Sequence, residues 1–147
     1  MAYTHSKYEV YLMGAAGTSA NLNLAGAVAD KFYWSPGYVP HYIRACSVII
    51  TTATVGTSAN VDFDKRVTAG SDTGRVSNGG VARVIVPAKA AGIVMYKDGL
   101  NALITPGQEV VLKLQTAMGT SGVATCVMYV EPTWELPGNN SSMVATA

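Results

Sequence analysis

The chain is poor in charged residues. Only 13% of its 147 residues are Asp, Glu, Lys or Arg, against about 25% in an average soluble domain. Its 10 Lys and Arg nearly balance its 9 Asp and Glu, which leaves a formal net charge of +1. A protein that binds a polyanion needs a basic surface that displaces counterions, so the composition argues against direct nucleic-acid binding. Intrinsic disorder requires low hydrophobicity with high net charge, and the chain has neither.

Cysteine and histidine are also scarce. Cys46 and Cys126 lie 80 positions apart without a CxxC or CxxH pattern, so they form neither a metal site nor the dense disulfide framework of a small secreted scaffold. Each lies in an apolar run, which predicts two buried thiols, and a mutual disulfide stays open if their strands are neighbours. The two histidines, His5 and His41, have no nearby Ser or Cys in a nucleophile setting, which argues against a catalytic triad.

Long hydrophobic runs are missing. The longest, residues 90–96, falls far short of the roughly 18–20 residues that span a bilayer. The N-terminal stretch is polar, contains Glu9 and has only a short apolar run, which is unlike a secretory signal. We therefore expect a soluble protein that is made in a cytoplasm and does not contact a membrane.

Apolar residues, by contrast, are plentiful. They make up 49% of the sequence, which is ample core material for one domain of this length. The mean hydropathy is +0.24. With so few charges, this value predicts that part of the outer surface is covered in an oligomer or a large assembly.

The pattern along the chain is that of strands separated by turns. Apolar and polar residues alternate with a period of two, and turn residues such as Ser35-Pro36-Gly37 interrupt the alternation. The predicted strands are about eight in number and cover residues 7–13, 27–34, 42–52, 60–68, 81–86, 92–97, 108–116 and 122–131. The spacing predicts an all-β, single-domain antiparallel β-sandwich that is jelly-roll-like.

Three other segments have distinct compositions. Residues 69–80 are a glycine-rich loop for which we predict no regular structure, and one helical turn could form within residues 21–30. We place the sandwich domain at residues 8–136, with a flexible arm at residues 1–7 and a flexible tail at residues 137–147.

Three acidic residues are candidate catalytic or metal-binding groups. Asp72-Thr73-Gly74 matches the aspartic-protease tripeptide, but it lies among glycines and small polar residues rather than after a buried strand, which favours a solvated turn. Asp62 and Asp64 share a strand face and could bind calcium. Because Lys65 and Arg66 follow and can neutralise them, a solvated face is favoured. No nucleotide, zinc or hydrolase motif is present, so we predict no enzyme activity, cofactor or metal.

Aromatic residues concentrate in one segment. Five of the aromatic residues fall within residues 32–42, a density typical of cores and of interface hot spots alike. The core interpretation and a partner-facing patch both stay open. The residues proposed for contact with a partner or another subunit are Tyr3, His5, Phe32, Tyr33, Trp34, Tyr38, His41 and Trp134.

The C-terminal part of the sequence carries a resemblance. The residues concerned are, in order, Pro87-Ala88, Ala91-Gly92-Ile93-Val94, Tyr96-Lys97-Asp98, Thr105-Pro106-Gly107-Gln108-Glu109-Val110-Val111, Thr116-Ala117 and Tyr129-Val130-Glu131-Pro132-Thr133-Trp134. In their order and spacing they resemble the auxiliary head proteins of tailed phages, called decoration or cement proteins. The N-terminal half shows no such match.

The resemblance implies a β-sandwich on the outside of an icosahedral capsid. Proteins of this group commonly form homotrimers and bind the major capsid protein, and they clamp neighbouring capsomers without any catalytic residue. The resemblance therefore implies a virion structural protein on the capsid exterior, made in the host cytoplasm.

Other functions stay open. A glycan-binding adhesin could use Tyr33, Trp34, Tyr38 and Asp62 to hold a sugar by stacking and hydrogen bonding. A small jelly-roll coat subunit and a tail or fibre-tip component are the remaining alternatives.

Overall fold

The computed structural model describes the backbone at residues 9–12 and the whole structure at residues 21–133. These residues form an all-β antiparallel sandwich without a helix. The ten strands are β1 (Glu9–Leu12), β2 (Asn21–Asn23), β3 (Ala29–Trp34), β4 (His41–Val55), β5 (Ala59–Arg66), β6 (Ala82–Val86), β7 (Val94–Lys97), β8 (Ala102–Ile104), β9 (Glu109–Thr116) and β10 (Ser121–Pro132). The predicted fold class is confirmed.

The strands divide into two sheets. The larger sheet has the order β1-β10-β4-β7, with β2 also paired to β10 and β8 also paired to β4. The smaller sheet has the order β3-β9-β5-β6. The long strands β4 and β10 form the centre of the larger sheet, and they pair from Ser121 opposite Val55 to Pro132 opposite His41.

The core lies between the sheets and follows from the alternation in each strand. In β9, Val110, Leu112 and Leu114 are fully buried, and in β5 Val61 and Phe63 occupy the same layer. A strand with one buried face places every second side chain inward. The observed bounds of the long strands therefore agree with the predicted ones to within a few residues.

The centre of β4 departs from simple alternation. The sequence pattern placed Ile43 on the same face as Ala45 and Ser47, but Ile43 is buried in the core together with Cys46 and Val48. The cause is a register shift between Tyr129 and Val130, where β10 skips from Ala45 to Ile43 and leaves Arg44 as the extra residue. A bulge of this kind reverses the facing of all residues on one side of it.

Two short strands were missed by the sequence pattern. Asn21–Asn23 forms β2, so the helical turn proposed for this region is wrong. Ala102–Ile104 forms β8 beside the start of β4. Strands of three residues are too short to show a period, and their pairing partners are distant in sequence.

The thiols behave as predicted. Cys46 and Cys126 lie on the adjacent strands β4 and β10 and are free and buried. Burial raises the pKa of Cys46 above its usual range and that of Cys126 to about 12, so neither thiol is a reactive thiolate at neutral pH.

The proposed arm and tail lie outside the described residues, so the domain boundaries remain a prediction. No helix long and apolar enough to cross a membrane occurs in the described part of the chain.

Candidate functional site

The aromatic segment forms the end of β3, the connection to β4 and the beginning of β4. Tyr38 stands at the tip of this connection and is 100% exposed. The flanking residues Pro36 and Pro40 are buried, and the backbone N–H of Thr133 donates to the Pro40 carbonyl at 2.8 Å. The turn that presents Tyr38 therefore has a fixed base.

The neighbouring aromatics point the other way. Phe32 and Trp34 pack against the core, because their positions in β3 pair with Leu112 and Val110, which are buried. His41 is 6% exposed, its ring lies edge-on to that of Trp34 at 5.5 Å between centroids, and Nδ1 is 2.6 Å from the carbonyl oxygen of Val39.

The segment is therefore divided between the core and the exposed surface. Phe32 and Trp34 are partly buried against the core and His41 is buried, so contact between these three residues and a partner stays a prediction. Tyr33 and Tyr38 are exposed, at 51% and 100%, and remain available to a partner. The other three proposed contact residues, Tyr3, His5 and Trp134, lie outside the described residues.

Tyr33 belongs to a second feature, a charged cluster on the outer face of the smaller sheet. The guanidinium of Arg66 lies over the Tyr33 ring at 5.0 Å. We use the name charged cluster for the ionic side chains that surround this contact: Asp30, Asp64, Arg66, Asp72, Arg75 and Glu109.

Arg75 is the centre of the charged cluster. Its guanidinium donates to Asp30 at 2.7 Å, to Asp64 at 2.8 Å and to Asp72 at 3.1 Å. The other oxygen of Asp64 accepts the backbone N–H of Gly79 at 2.8 Å. Because Arg75 and Gly79 belong to the glycine-rich loop, these bonds hold residues 69–80 against the sheet.

Arg66 completes the charged cluster from the sheet side. It donates to Glu109 at 2.7 Å and to Asp72 at 2.8 Å. The hydrogen bond from Arg75 lowers the pKa of Asp30, and the hydrogen bond from Arg66 lowers that of Asp72. Burial alone would lower the pKa of Arg66, but its bonds to Glu109 and Asp72 raise it. The ion pairs of the charged cluster thus favour the charged forms of Asp30, Asp72 and Arg66.

The solvated face predicted for Asp62 and Asp64 is wrong. Both side chains are 0% exposed, and their partners are Arg83 and Arg75 rather than the adjacent Lys65 and Arg66. Arg83 binds both oxygens of Asp62, at 2.6 and 2.7 Å. Asp72 is exposed as predicted, with a side-chain exposure of 64%, although it is also bonded to the charged cluster.

These positions separate the four residues of the alternative sugar site. The carboxylate of Asp62 is buried and fully bonded to Arg83, and Trp34 packs on the core. Only Tyr33 and Tyr38 of that set are exposed, so no combined stacking and carboxylate site forms.

A third feature is an exposed apolar edge of the larger sheet. β7 pairs with β4, and among the described strands it has no second neighbour. Its residues Val94 and Tyr96 are 47% and 64% exposed, and the preceding Ile93 is 42% exposed.

A shallow cavity of about 600 Å³ lies on the outer face of the larger sheet, and Arg44 at the β4 bulge forms its wall. Arg44 Nε donates to Glu131 at 2.8 Å, Nη1 donates to Asn101, and the guanidinium lies over the Tyr42 ring at 4.4 Å. The other residues that line the cavity are Ala45, Asp98, Gly99, Leu100, Asn101, Tyr129 and Glu131. The described residues contain no group of three or more His, Cys, Asp or Glu placed to hold a metal ion.

Comparisons with known proteins give little. No protein-family model and no curated protein matches the chain. A solved structure of infectious bursal disease virus, Gt strain, is similar at 12% identity and a TM-score of 0.29. The match covers 99% of this chain, which spans 50% of the viral chain. A TM-score at this level supports no inference about function.

Proposed function

We propose that the chain is a non-enzymatic structural protein of a phage particle. In this proposal it binds the outside of the head and stabilises contacts between capsomers of the major capsid protein, as the sequence resemblance implies. It is made in the host cytoplasm and uses no cofactor or metal.

The observation that carries the proposal is the presentation of Tyr38. Because the base of the turn is buried, the backbone that carries this fully exposed aromatic ring has little freedom left to lose on binding. Tyrosines in such positions are frequent interface hot spots. Tyr33, held beneath Arg66, adds a second exposed aromatic ring of the same segment.

The polar groups of the described residues fit a structural role. The candidate acidic side chains Asp62, Asp64 and Asp72 are bonded to arginines, and the two cysteines are buried thiols. Groups of this kind hold a surface in shape, and binding of a capsid then depends on the area buried across capsomer boundaries.

The first test is the protein content of purified particles of the virus that encodes the chain. Quantitative mass spectrometry should find a copy number comparable with that of the major capsid protein. A copy number far below it would favour a tail or fibre component, and absence from mature particles would contradict the proposal.

The second test measures binding to heads that lack the protein. We expect the Tyr38→Ser variant to bind with a free energy poorer by about 2 kcal/mol, which is a Kd roughly 30-fold higher. The matched control is Val28→Ser, since Val28 is also apolar and exposed, at 52%. Equal binding by both variants would remove the aromatic turn from the contact surface.

A further inference from the structure

The edge of the larger sheet at β7 extends along much of β4. Beyond the paired residues of β7, the Ile93 carbonyl accepts the Ile50 N–H at 2.9 Å, and the Lys89 carbonyl accepts the Thr54 N–H at 2.9 Å. The whole segment 89–97 therefore lies against β4 on one side. Among the described strands, none is hydrogen-bonded to its other side.

Gly92 determines which backbone groups face outward. Its N–H donates to the Ile50 carbonyl at 2.7 Å, while Ile93 accepts from the same residue, so two residues of the edge oppose one of β4. With a φ of 88° at Gly92, this is a bulge of the glycine type. Hydrogen bonding alternates along an antiparallel pair, so the N–H and C=O groups of Val94 and Tyr96 point away from β4.

The side chains of the same two residues are apolar and exposed. Val94 and Tyr96 pair with Ile49 and Ser47 of β4 and so share the outer face of the sheet. Met95, between them, packs against the core. Natural edge strands are blocked by charges, prolines, bulges or short length. Here Lys89 and Lys97 and the Gly92 bulge lie at or near the ends of the edge, and residues 93–96 between the bulge and Lys97 contain no charge or proline.

We propose that this edge is an interface with a second copy of the chain, in which two β7 strands pair antiparallel about Met95. Val94 of each copy then lies opposite Tyr96 of the other, and both residues have the outward backbone groups that such a pair exchanges. An aromatic side chain opposite a β-branched one is a favourable cross-strand pair.

The charges favour this occupant over an unrelated segment. In this register Lys97 of one copy lies opposite Ile93 of the other, so no lysine faces a lysine. The net charge of +1 per chain leaves little repulsion between copies. A two-fold interface must be self-complementary, and the pair of Val94 and Tyr96 meets that condition with the same two residues on each side. The interface is independent of the proposed attachment to a capsid.

The experiment is sedimentation velocity of the purified full chain over a wide concentration range. We expect the wild type to pass from 15.3 kDa to twice that mass. Val94→Lys and Val94→Pro should both weaken association roughly tenfold or more. The proline removes an N–H that points away from β4 and also fixes φ at about −65°, so circular dichroism is used to verify that both variants are folded. The matched control Val28→Lys adds the same charge at another exposed valine and should associate like the wild type.

Hydrogen exchange identifies what covers the edge. The amides of Val94 and Tyr96 should exchange more slowly as the protein concentration rises, while those of Met95 and Lys97, bonded to β4, should not change. A wild type that stays monomeric overturns the proposal, as does association that survives both Val94 variants. Protection of Val94 and Tyr96 at every concentration would mean that residues of the same chain cover the edge, which also overturns it.

Discussion

The outer face of the smaller sheet is covered by a loop, whereas the β7 edge of the larger sheet is exposed to solvent. On the smaller sheet, arginines and carboxylates fasten the glycine-rich loop over the strands, and even the outward-facing Val111 is 0% exposed. At the β7 edge, apolar side chains and backbone groups are left open. Among the described residues, most of the buried ionic contacts lie on the outer face of the smaller sheet.

The two regions show two ways in which the surface of a β-sandwich can end, either covered by a bonded loop or left open. Burying charged groups costs desolvation free energy, and the attraction between the charges offsets this cost only when every partner is in place. The charged cluster therefore stabilises one conformation of residues 69–80. The open β7 edge does not depend on charged partners within the chain. Its exposed N–H and C=O groups can instead pair with another chain. Substitutions in the two regions should therefore have unequal effects on the stability of the single chain.

The largest effect is expected from Arg75→Met. The change leaves Asp64, which is 0% exposed, and Asp30 without their main cation. Removing one partner of a buried ion pair costs about 3–5 kcal/mol, and the free energy of unfolding in urea should fall by that amount. Limited proteolysis should also cut within residues 69–80, because the loop loses its attachment to the sheet.

Arg44→Met is the control for Arg75→Met. Arg44 also forms an ion pair, but the side chains of Arg44 and Glu131 are 29% and 24% exposed, and partly exposed pairs contribute about 1 kcal/mol or less. Equal losses for the two variants would contradict the distinction between a buried and an exposed cation.

Acid should remove part of the same stabilisation. The pKa of Asp30 is lowered by Arg75 and that of Asp72 by Arg66, so their contribution is complete above the ordinary pKa of 3.8 and is lost as the pH falls through the lowered values. The free energy of unfolding should be nearly constant from about pH 7 to about pH 5 and should decline below about pH 4. In Arg75→Met the decline should be shallower, and an equal slope would show that other carboxylates control acid unfolding.

A substitution of Gly92 at the β7 bulge should have an intermediate effect on the free energy of unfolding. Gly92→Ala places a side chain at a φ of 88°, and because no atom lies within 4 Å of the added Cβ, the cost is conformational, about 1–2 kcal/mol. Gly119→Ala is the control, since its nearest contact is Thr57 Oγ1 at 3.9 Å and it has no positive φ. The melting temperature of Gly92→Ala should therefore be lower than that of Gly119→Ala. Equal melting temperatures would mean that the bulge can relax without glycine.

The charged cluster also marks the limit of sequence reasoning. Alternation in β5 predicted that Asp62 and Asp64 share the face opposite Val61 and Phe63, and this is confirmed. Their burial was missed because the partners are distant, with Arg75 11 residues from Asp64 and Arg83 21 residues from Asp62. A local pattern shows which face a side chain occupies but not which loop covers that face.

The aromatic segment shows the same limit at the candidate contact surface. Its density predicted either a core or a partner-facing patch, and alternation in β3 divides it between the two, with Trp34 inward and Tyr33 outward. The exposure of Tyr38 depends on the turn geometry between β3 and β4, which composition alone does not determine. The bulge at Arg44, which moves Ile43 into the core, has no signal within β4 itself because it depends on the register with β10.

The smallest effect is expected from one substitution made in both regions. Tyr33 and Tyr96 are exposed to similar degrees, 51% and 64%, but only Tyr33 lies under a buried arginine of the charged cluster. A cation–π contact of this kind contributes about 0.5–1 kcal/mol, so Tyr33→Ser should lower the free energy of unfolding by about that much more than Tyr96→Ser. Urea denaturation at a concentration where the chain is monomeric measures the difference and excludes association. An equal or larger loss for Tyr96→Ser would show that the β7 edge, although open, is as much a part of the folded chain's stability as the covered face.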